Sequence, residues 1–357
     1  MSLDDKCKPL NVQASNSVEF LYLSQEEVIK AGGLDMSIAI DAVEAAFQSL
    51  SRSETIIPTK IVLELPPGER ERGRMNGLAA YIGGDWEVSG IKWVPSFPKN
   101  PYERNLPRAN ALIILNDTHT GMPLAIMDGT IISAVRTGAV GGIAAKYLAR
   151  EDAEIACLIG MGVQARTQAM ALAKTLPALK EIRGYRRSTK RAYLDAIEIE
   201  ELSGIKTTVS KSARDAVVGA DAIVTATCAN EPIVKNDWVK KGSLFIHIGS
   251  YVEEEYKVVL DSNKIVVDDW GVVKHRKTPV LARMYDEGLL SDSDIYANLD
   301  EIVAGKKIGR ETDSERIFFA PIGMALEDIA FGSKVYERAK EEGLGHFLKL
   351  WEKPLWA

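Results

Sequence analysis

The sequence predicts an α/β protein in two parts: a doubly wound parallel sheet and a second, mixed α+β domain. Three observations carry the prediction. Ile155–Ile159 is a short apolar run of the kind found in strands covered on both faces, and Gly160-x-Gly162-x-x-Ala165 follows it at once. Gln164 to Leu176 then reads as a helix, stopped by Pro177. Beyond it, strand-like and helical segments alternate as far as Asp268, the pattern of a Rossmann sheet with helices on both faces. In such a turn the first glycine permits the bend and the second lets the backbone approach a pyrophosphate. The third small residue allows helix and strand to pack closely, and the helix N-terminus offers NH groups to the phosphates. A dinucleotide is therefore expected on Gly160, Gly162, Val163, Gln164 and Ala165.

In chain order, residues 1–18 are polar and expected to be loose. Ser24 and Glu27 have capping-box spacing before a short helix that ends at Gly32-Gly33. Met36 to Leu50 places Ile40, Val43, Ala46, Phe47 and Leu50 on one helical face. Strand-like pieces follow at Lys60–Leu65, Gly77–Ile82, Gly90–Val94 and Ala111–Leu115, and Asn116–Gly121 reads as a hairpin turn. Thr130 to Ala149 is a helix rich in glycine and alanine, suited to close packing between the two domains. Further strands are expected at Glu181–Tyr185, Lys206–Val209, Asp221–Ala226, Ser243–Gly249 and Lys264–Asp268. The last helix, Met324 to Lys340, is expected to return to the first domain. The domains thus run 1–129 with 323–357 and 130–322.

Composition narrows the function. The 357 residues suffice for two cores, and a net charge of −6 offers no basic footprint for nucleic acid. Three distant cysteines, Cys7, Cys157 and Cys228, argue against a disulfide framework, and the four histidines lack metal-ligand spacing. No apolar run approaches ~18 residues, so a membrane span is not expected and a cytoplasmic location is the simplest reading.

Several residues stand out for chemistry. The second strand of a dinucleotide fold ordinarily ends in an acid that bonds the adenosine ribose. Here the sequence is Tyr185-Arg186-Arg187-Ser188-Thr189, with no carboxylate. Arg186, Arg187 and Ser188 suit a 2′-phosphate, which favours NADP over NAD, unless the segment is simply a solvated basic turn. Arg136 lies in an otherwise apolar helix, where it needs either an anionic ligand such as a substrate carboxylate or an internal carboxylate. Lys92 sits among apolar and small residues in a short strand. Either it snorkels outward, or it faces a pocket where desolvation lowers its pKa and fits it for proton transfer at an amine or imine. Thr225 and Thr227 close the fourth strand, where open sheets of this class bind ligands; they also read as ordinary strand threonines.

Lys92, Asp128-Gly129 leading to Arg136-Thr137, the glycine turn, Ala220-Asp221 and Gly323-Met-Ala-Leu-Glu327-Asp328 occur in that order. Together they resemble the ornithine cyclodeaminase/mu-crystallin family, from about Phe20 to Tyr336. The resemblance implies a homodimer built by the first domain, NAD or NADP at the glycine turn with Gly249 beside it, and an active site between the domains. It assigns acid/base work to Lys92 and the substrate carboxylate to Arg136, with Lys60 standing where the family has another substrate-binding arginine. It implies a small amino- or imino-acid substrate, beside the absence of a nucleic acid or membrane partner already expected from charge and composition.

Two departures steer the choice among the family's reactions. Lys60 keeps a charge but loses the arginine fork. The aspartate that cyclodeaminases carry after the fifth strand falls here on Ser250 or Tyr251, with Glu253, Glu254 and Glu255 as substitutes only if the loop shifts. Lys92-Trp-Val-Pro-Ser with Arg104-Asn-Leu-Pro-Arg108-Ala looks nearer the diaminopropionate-forming branch, in which Arg108 adds a second carboxylate contact. The expectation is an NAD(P)-dependent oxidoreductase acting at the Cα–N bond of a small amino acid or its imine. The alternatives are ornithine cyclodeamination and a ligand-binding protein without turnover.

Overall fold

Two eight-stranded sheets carry the architecture in a computed structural model that describes residues 17–68, 71–229 and 231–353. The strands are β1 (Val18–Leu23), β2 (Thr55–Ile56), β3 (Ile61–Glu64), β4 (Arg74–Ile82), β5 (Val88–Ser96), β6 (Leu112–Asp117), β7 (Pro123–Asp128), β8 (Ile155–Ile159), β9 (Glu181–Tyr185), β10 (Lys206–Val209), β11 (Ala222–Thr225), β12 (Leu244–His247), β13 (Lys264–Val267), β14 (Ala297–Asn298), β15 (Ile317–Ala320) and β16 (His346–Trp351). The principal helices are α1 (Met36–Ser51), α2 (Thr130–Leu148), α3 (Val163–Thr175), α4 (Thr189–Ser203) and α5 (Ala325–Glu341). The stretch expected to be loose falls almost wholly on residues 1–16, outside those described.

The first sheet runs β16-β1-β7-β6-β5-β4-β2, with β3 also paired to β4. The expected hairpin joins β6 to β7, where Asp117 accepts from the amides of His119 and Thr120 and Gly121 takes φ 73°. Four strands of this sheet escape sequence patterning: β1, the two-residue β2, β7 and the exposed edge strand β16. The strand expected at Lys60–Leu65 begins at Ile61, which leaves Lys60 on the approach to it. The expected capping box is present, with Glu27 accepting from the Ser24 amide at 2.8 Å.

The second sheet is wholly parallel, in the order β10-β9-β8-β11-β12-β15-β13-β14. Its chain order reverses at β8, so a crevice opens at the carboxyl ends of β8 and β11, the place where such sheets take ligands. β15 was not expected; it returns from far along the chain to insert between β12 and β13. Asp221 pins the start of β8, accepting from the amides of Glu154 and Ile155 at 2.9 Å each.

α2 and α5 join the layers. Gly138, Gly141 and Gly142 of α2 lie against Thr167, Gln168 and Ala171 of α3 so closely that a Cβ at Gly141 would stand 1.9 Å from the Gln168 amide oxygen. α5 packs on the first sheet and on α1, burying Leu326, Ile329, Ala330, Phe331 and Val335. Full burial of such apolar side chains stabilises by roughly 1.5–3 kcal/mol each. No helix among the described residues is long and apolar enough to cross a membrane.

Candidate active site

The cleft is built by three elements that converge from distant parts of the chain. Strand alternation on β5 puts Gly90, Lys92 and Val94 on one face, and Gly90 lies beneath Ile329 of α5. Asp128 fixes the start of α2 by accepting from the amides of Thr130 (3.1 Å) and Ile131 (3.0 Å), which sets Ser133 and Arg136 one and two turns further on. Gly323, at φ 80°, leads into α5 and presents Glu327 and Asp328 in its first turn, where the helix dipole favours carboxylates. A Cβ at Gly323 would come within 2.7 Å of the Arg136 guanidinium, so this residue must be glycine for the arginine to lie where it does.

Lys92 is 2% exposed and does not snorkel. Its Nζ donates to Asp328 Oδ2 at 2.5 Å and to Ser133 Oγ at 3.0 Å. Arg136 donates through Nε to Asp328 Oδ1 at 2.9 Å and through a terminal nitrogen to Glu327. Of the two alternatives raised for Arg136, the pairing to internal carboxylates is present, and the residue also lines a cavity. Burial, and next the neighbouring Arg136 charge, pull the Lys92 ammonium down to about 8 in spite of Asp328. Burial pushes the Glu327 carboxyl up to about 7. Burial opposes the Arg136 charge, but Asp328 and Glu327 outweigh it and hold the guanidinium protonated.

The cavity has a volume of about 170 Å³ and reaches from Lys92 and Arg136 to Ile248, Gly249 and Ser250 at the carboxyl end of β12. Lys60, Arg74 and Arg276 line it too. Burial, then the Arg276 and Arg74 charges, draw the Lys60 ammonium down to about 7. Arg108 is not part of this wall. It donates to the Cys228 sulfur at 2.6 Å, so the second carboxylate contact expected of it is not made in this cavity.

The glycine turn has the geometry a dinucleotide needs. Gly160 takes φ 91°, and a Cβ there would stand 2.5 Å from the Ala226 carbonyl oxygen. At Gly162 and Val163 the backbone is exposed, with nothing near a Cβ position at Gly162, while Ala165 is buried against the sheet. Gln164 opens α3 on the same side, half-buried. Thr225 is buried with its hydroxyl lacking a hydrogen-bond partner among the described residues, and Thr227 gives its amide to Glu253. These residues fit a dinucleotide. Beyond β9, Arg186 is ion-paired to Asp195, which also takes Arg166 and Arg191; Arg187 and Ser188 are exposed.

A second buried charge cluster lies directly behind the Gly249 loop. His247 Nδ1 stands 3.1 Å from a Glu254 carboxylate oxygen and 3.8 Å from one of Glu253. Burial disfavours the imidazolium, but Glu254 first and Glu253 next overcome this and push it up to about 9. Glu255 accepts from the Asn236 amide. None of the three glutamates lines the cavity, whereas Ser250 does.

Sequence reasoning missed Asp328, Glu327 and Ser133 as the partners of Lys92 and Arg136, and missed Arg74, Arg276 and His247 altogether. The Glu-Asp pair after Gly323 was a usable signal, since a buried arginine requires an acid. Arg276 carried none.

A model of the ornithine cyclodeaminase/mu-crystallin family matches residues 21–343. Alanine dehydrogenase of Archaeoglobus fulgidus is 36% identical over 337 residues, covering 93% of this chain and 99% of that protein. N-((2S)-2-amino-2-carboxyethyl)-L-glutamate dehydrogenase of Staphylococcus aureus is 31% identical over 339 residues, covering 93% and 99%. Among solved structures, the Δ(1)-pyrroline-2-carboxylate reductase of Thermococcus litoralis, in complex with NADH and L-proline, superimposes with a TM-score of 0.85 at 36% identity over 92% of this chain and 99% of that one.

Proposed function

This chain belongs to the ornithine cyclodeaminase/mu-crystallin family, and on that premise we propose that it moves a hydride at the Cα–N bond of an amino acid or its imine. The observation that carries the reading is Lys92: a buried ammonium brought close to neutrality on the wall of a cavity that opens to the carboxyl edge of the dinucleotide sheet. A nicotinamide cofactor at the glycine turn supplies the hydride acceptor or donor. Gly160, Gly162, Val163, Gln164 and Ala165 would hold its phosphates, with Thr225, Thr227 and Gly249 along the crevice.

The chain's own groups then do the rest. In reduction Lys92 gives a proton to the imine nitrogen; in oxidation the neutral amine takes it back, and Ser133 and Asp328 hold Nζ in place for both. The side of Arg136 that faces the cavity takes the α-carboxylate, while Glu327 and Asp328 fix the rest of the fork. The test is amine- or imine-dependent change of nicotinamide absorbance. Lys92→Ala should lower kcat at least 10²-fold, the usual scale for loss of a positioned acid/base. Wild-type protein that binds ligands tightly but turns over nothing from a broad panel would favour a binding role.

Three finer points belong to the same proposal. NADP is preferred over NAD, resting on exposed Arg187 and Ser188 and the lack of an acid at the end of β9; the ratio of the two KM values decides it. Ornithine cyclodeamination is disfavoured because Glu253, Glu254 and Glu255 are engaged elsewhere; proline formed from ornithine without net cofactor change would reinstate it. The chain forms a cytoplasmic homodimer through the first domain, divided from the cofactor domain near Gly129 and Gly323.

A further inference from the structure

The carboxylates beneath Lys92 and Arg136 come from the first turn of α5, and α5 does not fix its own start. Met324 stands at its N-cap and offers the helix amides no side-chain hydrogen bond, whereas Asp128 supplies such bonds to α2. The entry to α5 is held from outside. Asp268 Oδ2 accepts from the amides of Ile322 at 2.8 Å and Gly323 at 2.6 Å, and Oδ1 accepts from the amide of Asp269 at 2.8 Å. Asp268 is 1% exposed. A buried carboxylate is costly unless its oxygens are hydrogen-bonded, and here three amides serve them.

Topology makes this contact a bridge. β13 and β15 run parallel with Val267 opposite Ala320, so Asp268 and Pro321 leave the second sheet side by side. The chain after β15 then crosses to α5, which packs on the first sheet. Pro321, Ile322 and Gly323 line the cavity on the way. Gly323 takes φ 80° and lies so close to Arg136 that a side chain there would collide with the guanidinium. Further along the same segment, Asp328 accepts from Lys92 Nζ at 2.5 Å and from Arg136 Nε at 2.9 Å. One carboxylate at the edge of the dinucleotide sheet thus sets where the acids under the proton carrier stand.

We propose that Asp268 is a positioning residue for hydride transfer: its carboxylate clamps the 322–323 turn to the carboxyl edge of the second sheet. The clamp fixes Glu327 and Asp328, and through them Arg136 and Lys92, relative to a nicotinamide held over that edge. This rests on the reading of the site as one for amino- and imino-acid redox chemistry. Asp268 does not line the cavity and acts only through the turn. Reacting atoms must come within about 3–3.5 Å of each other, and misplacement by about 1 Å can cost about 10²-fold in rate. Without the clamp, the groups that hold the acid and move its proton lose their fixed relation to the sheet that carries the hydride donor.

The experiment compares Asp268→Ala and Asp268→Asn with the wild-type chain, using the fastest substrate from a panel of amino acids with NAD(P)⁺ and of 2-oxo acids with ammonia and NAD(P)H. Rates are counted per bound cofactor, so that loss of folded protein does not register. Asp268→Ala should lower kcat about 10²-fold and raise the KM of the acid, which depends on Arg136. Asp268→Asn, which keeps one acceptor oxygen, should lose only about 10-fold. Fluorescence titration should give Kd values for NADH and NADPH within about threefold of the wild type, because the glycine turn is left intact. Losses that vanish when counted per bound cofactor, with KM unchanged, would mean a contribution to stability alone and overturn the proposal. Absence of turnover by the wild-type chain with the whole panel would instead count against the redox reading. Crystal structures of the variants then still decide the clamp: the 322–323 turn must shift by about 1 Å or more and Arg136 must lose Glu327 or Asp328, and an unmoved turn sinks it.

Discussion

At the scale of single residues, the site depends on a few buried charges balanced against one another. Lys92, Arg136, Glu327 and Asp328 are almost excluded from water, so removing one member leaves its partners charged in a low dielectric. Breaking such a pair costs about 3–5 kcal/mol. The pH dependence follows from Lys92, whose pKa of about 8 lies below the ordinary lysine value. In the proposed mechanism its ammonium is the acid for reduction, so the reductive kcat should fall as pH rises through about 8. The oxidative kcat, which needs the free amine, should rise over the same interval. Parallel pH profiles in the two directions would exclude Lys92 as the shared proton carrier. The sequence made Lys92 and Arg136 visible because charges stand out within apolar periodicity. It could not tell which way either side chain turned, since that is set by Asp328, 236 residues from Lys92.

Among elements, the loop after β12 is the one whose stability is tied to charge. It forms the Ile248–Ser250 wall of the cavity, and its far end is held by His247 against Glu253 and Glu254. His247 titrates at about 9 in the folded chain against an ordinary 6.5. A raised folded pKa contributes stability that is complete below 6.5 and is lost as pH climbs through about 9. Burial also raises the Glu253 pKa, so its contribution too declines with rising pH, starting from the ordinary carboxyl range. Lys60 and Lys92, lowered to about 7 and about 8, work the other way and favour the folded state as pH rises above those values, so the readout is a difference: the Tm advantage of the wild-type chain over His247→Gln should shrink between pH 6.5 and 9, and a pH-independent difference would refute the latch. Elements with strong local signals were legible, and the strands expected at Glu181–Tyr185 and Lys206–Val209 match β9 and β10 residue for residue. β16 was not, because an exposed edge strand has no buried face to impose alternation.

At the scale of the whole molecule, the first sheet leaves apolar surface uncovered. Ile56 (63% exposed), Ile61 (61%), Val62 (46%) and Leu63 (47%) are all exposed on β2 and β3, two short strands that both pair with β4. Clustered exposed apolar side chains of this kind mark an interface, so the proposed dimer should bury them. Light scattering should give a dimer for the wild-type chain and a monomer for the double variant Ile61→Glu with Leu63→Glu; a wild-type monomer would remove the dimer from the proposal. Lys60 immediately precedes β3, so pairing there would also order the approach to the cleft.

The sequence by itself determined the cofactor fold and the family, because a strand, a glycine turn and a helix are read from neighbours within about 20 residues and depend on local sterics and periodicity. It also made Lys92 and Arg136 stand out as charges within apolar segments. Only the tertiary structure decided what those charges do. It brought Glu327 and Asp328 beneath them, turned Arg108 away to Cys228, engaged Arg186 with Asp195, and set Arg276 and Lys60 in the wall of one cavity. Each of these depends on which groups share a water-poor volume. That is fixed by the packing of segments up to hundreds of residues apart, and no local pattern encodes it.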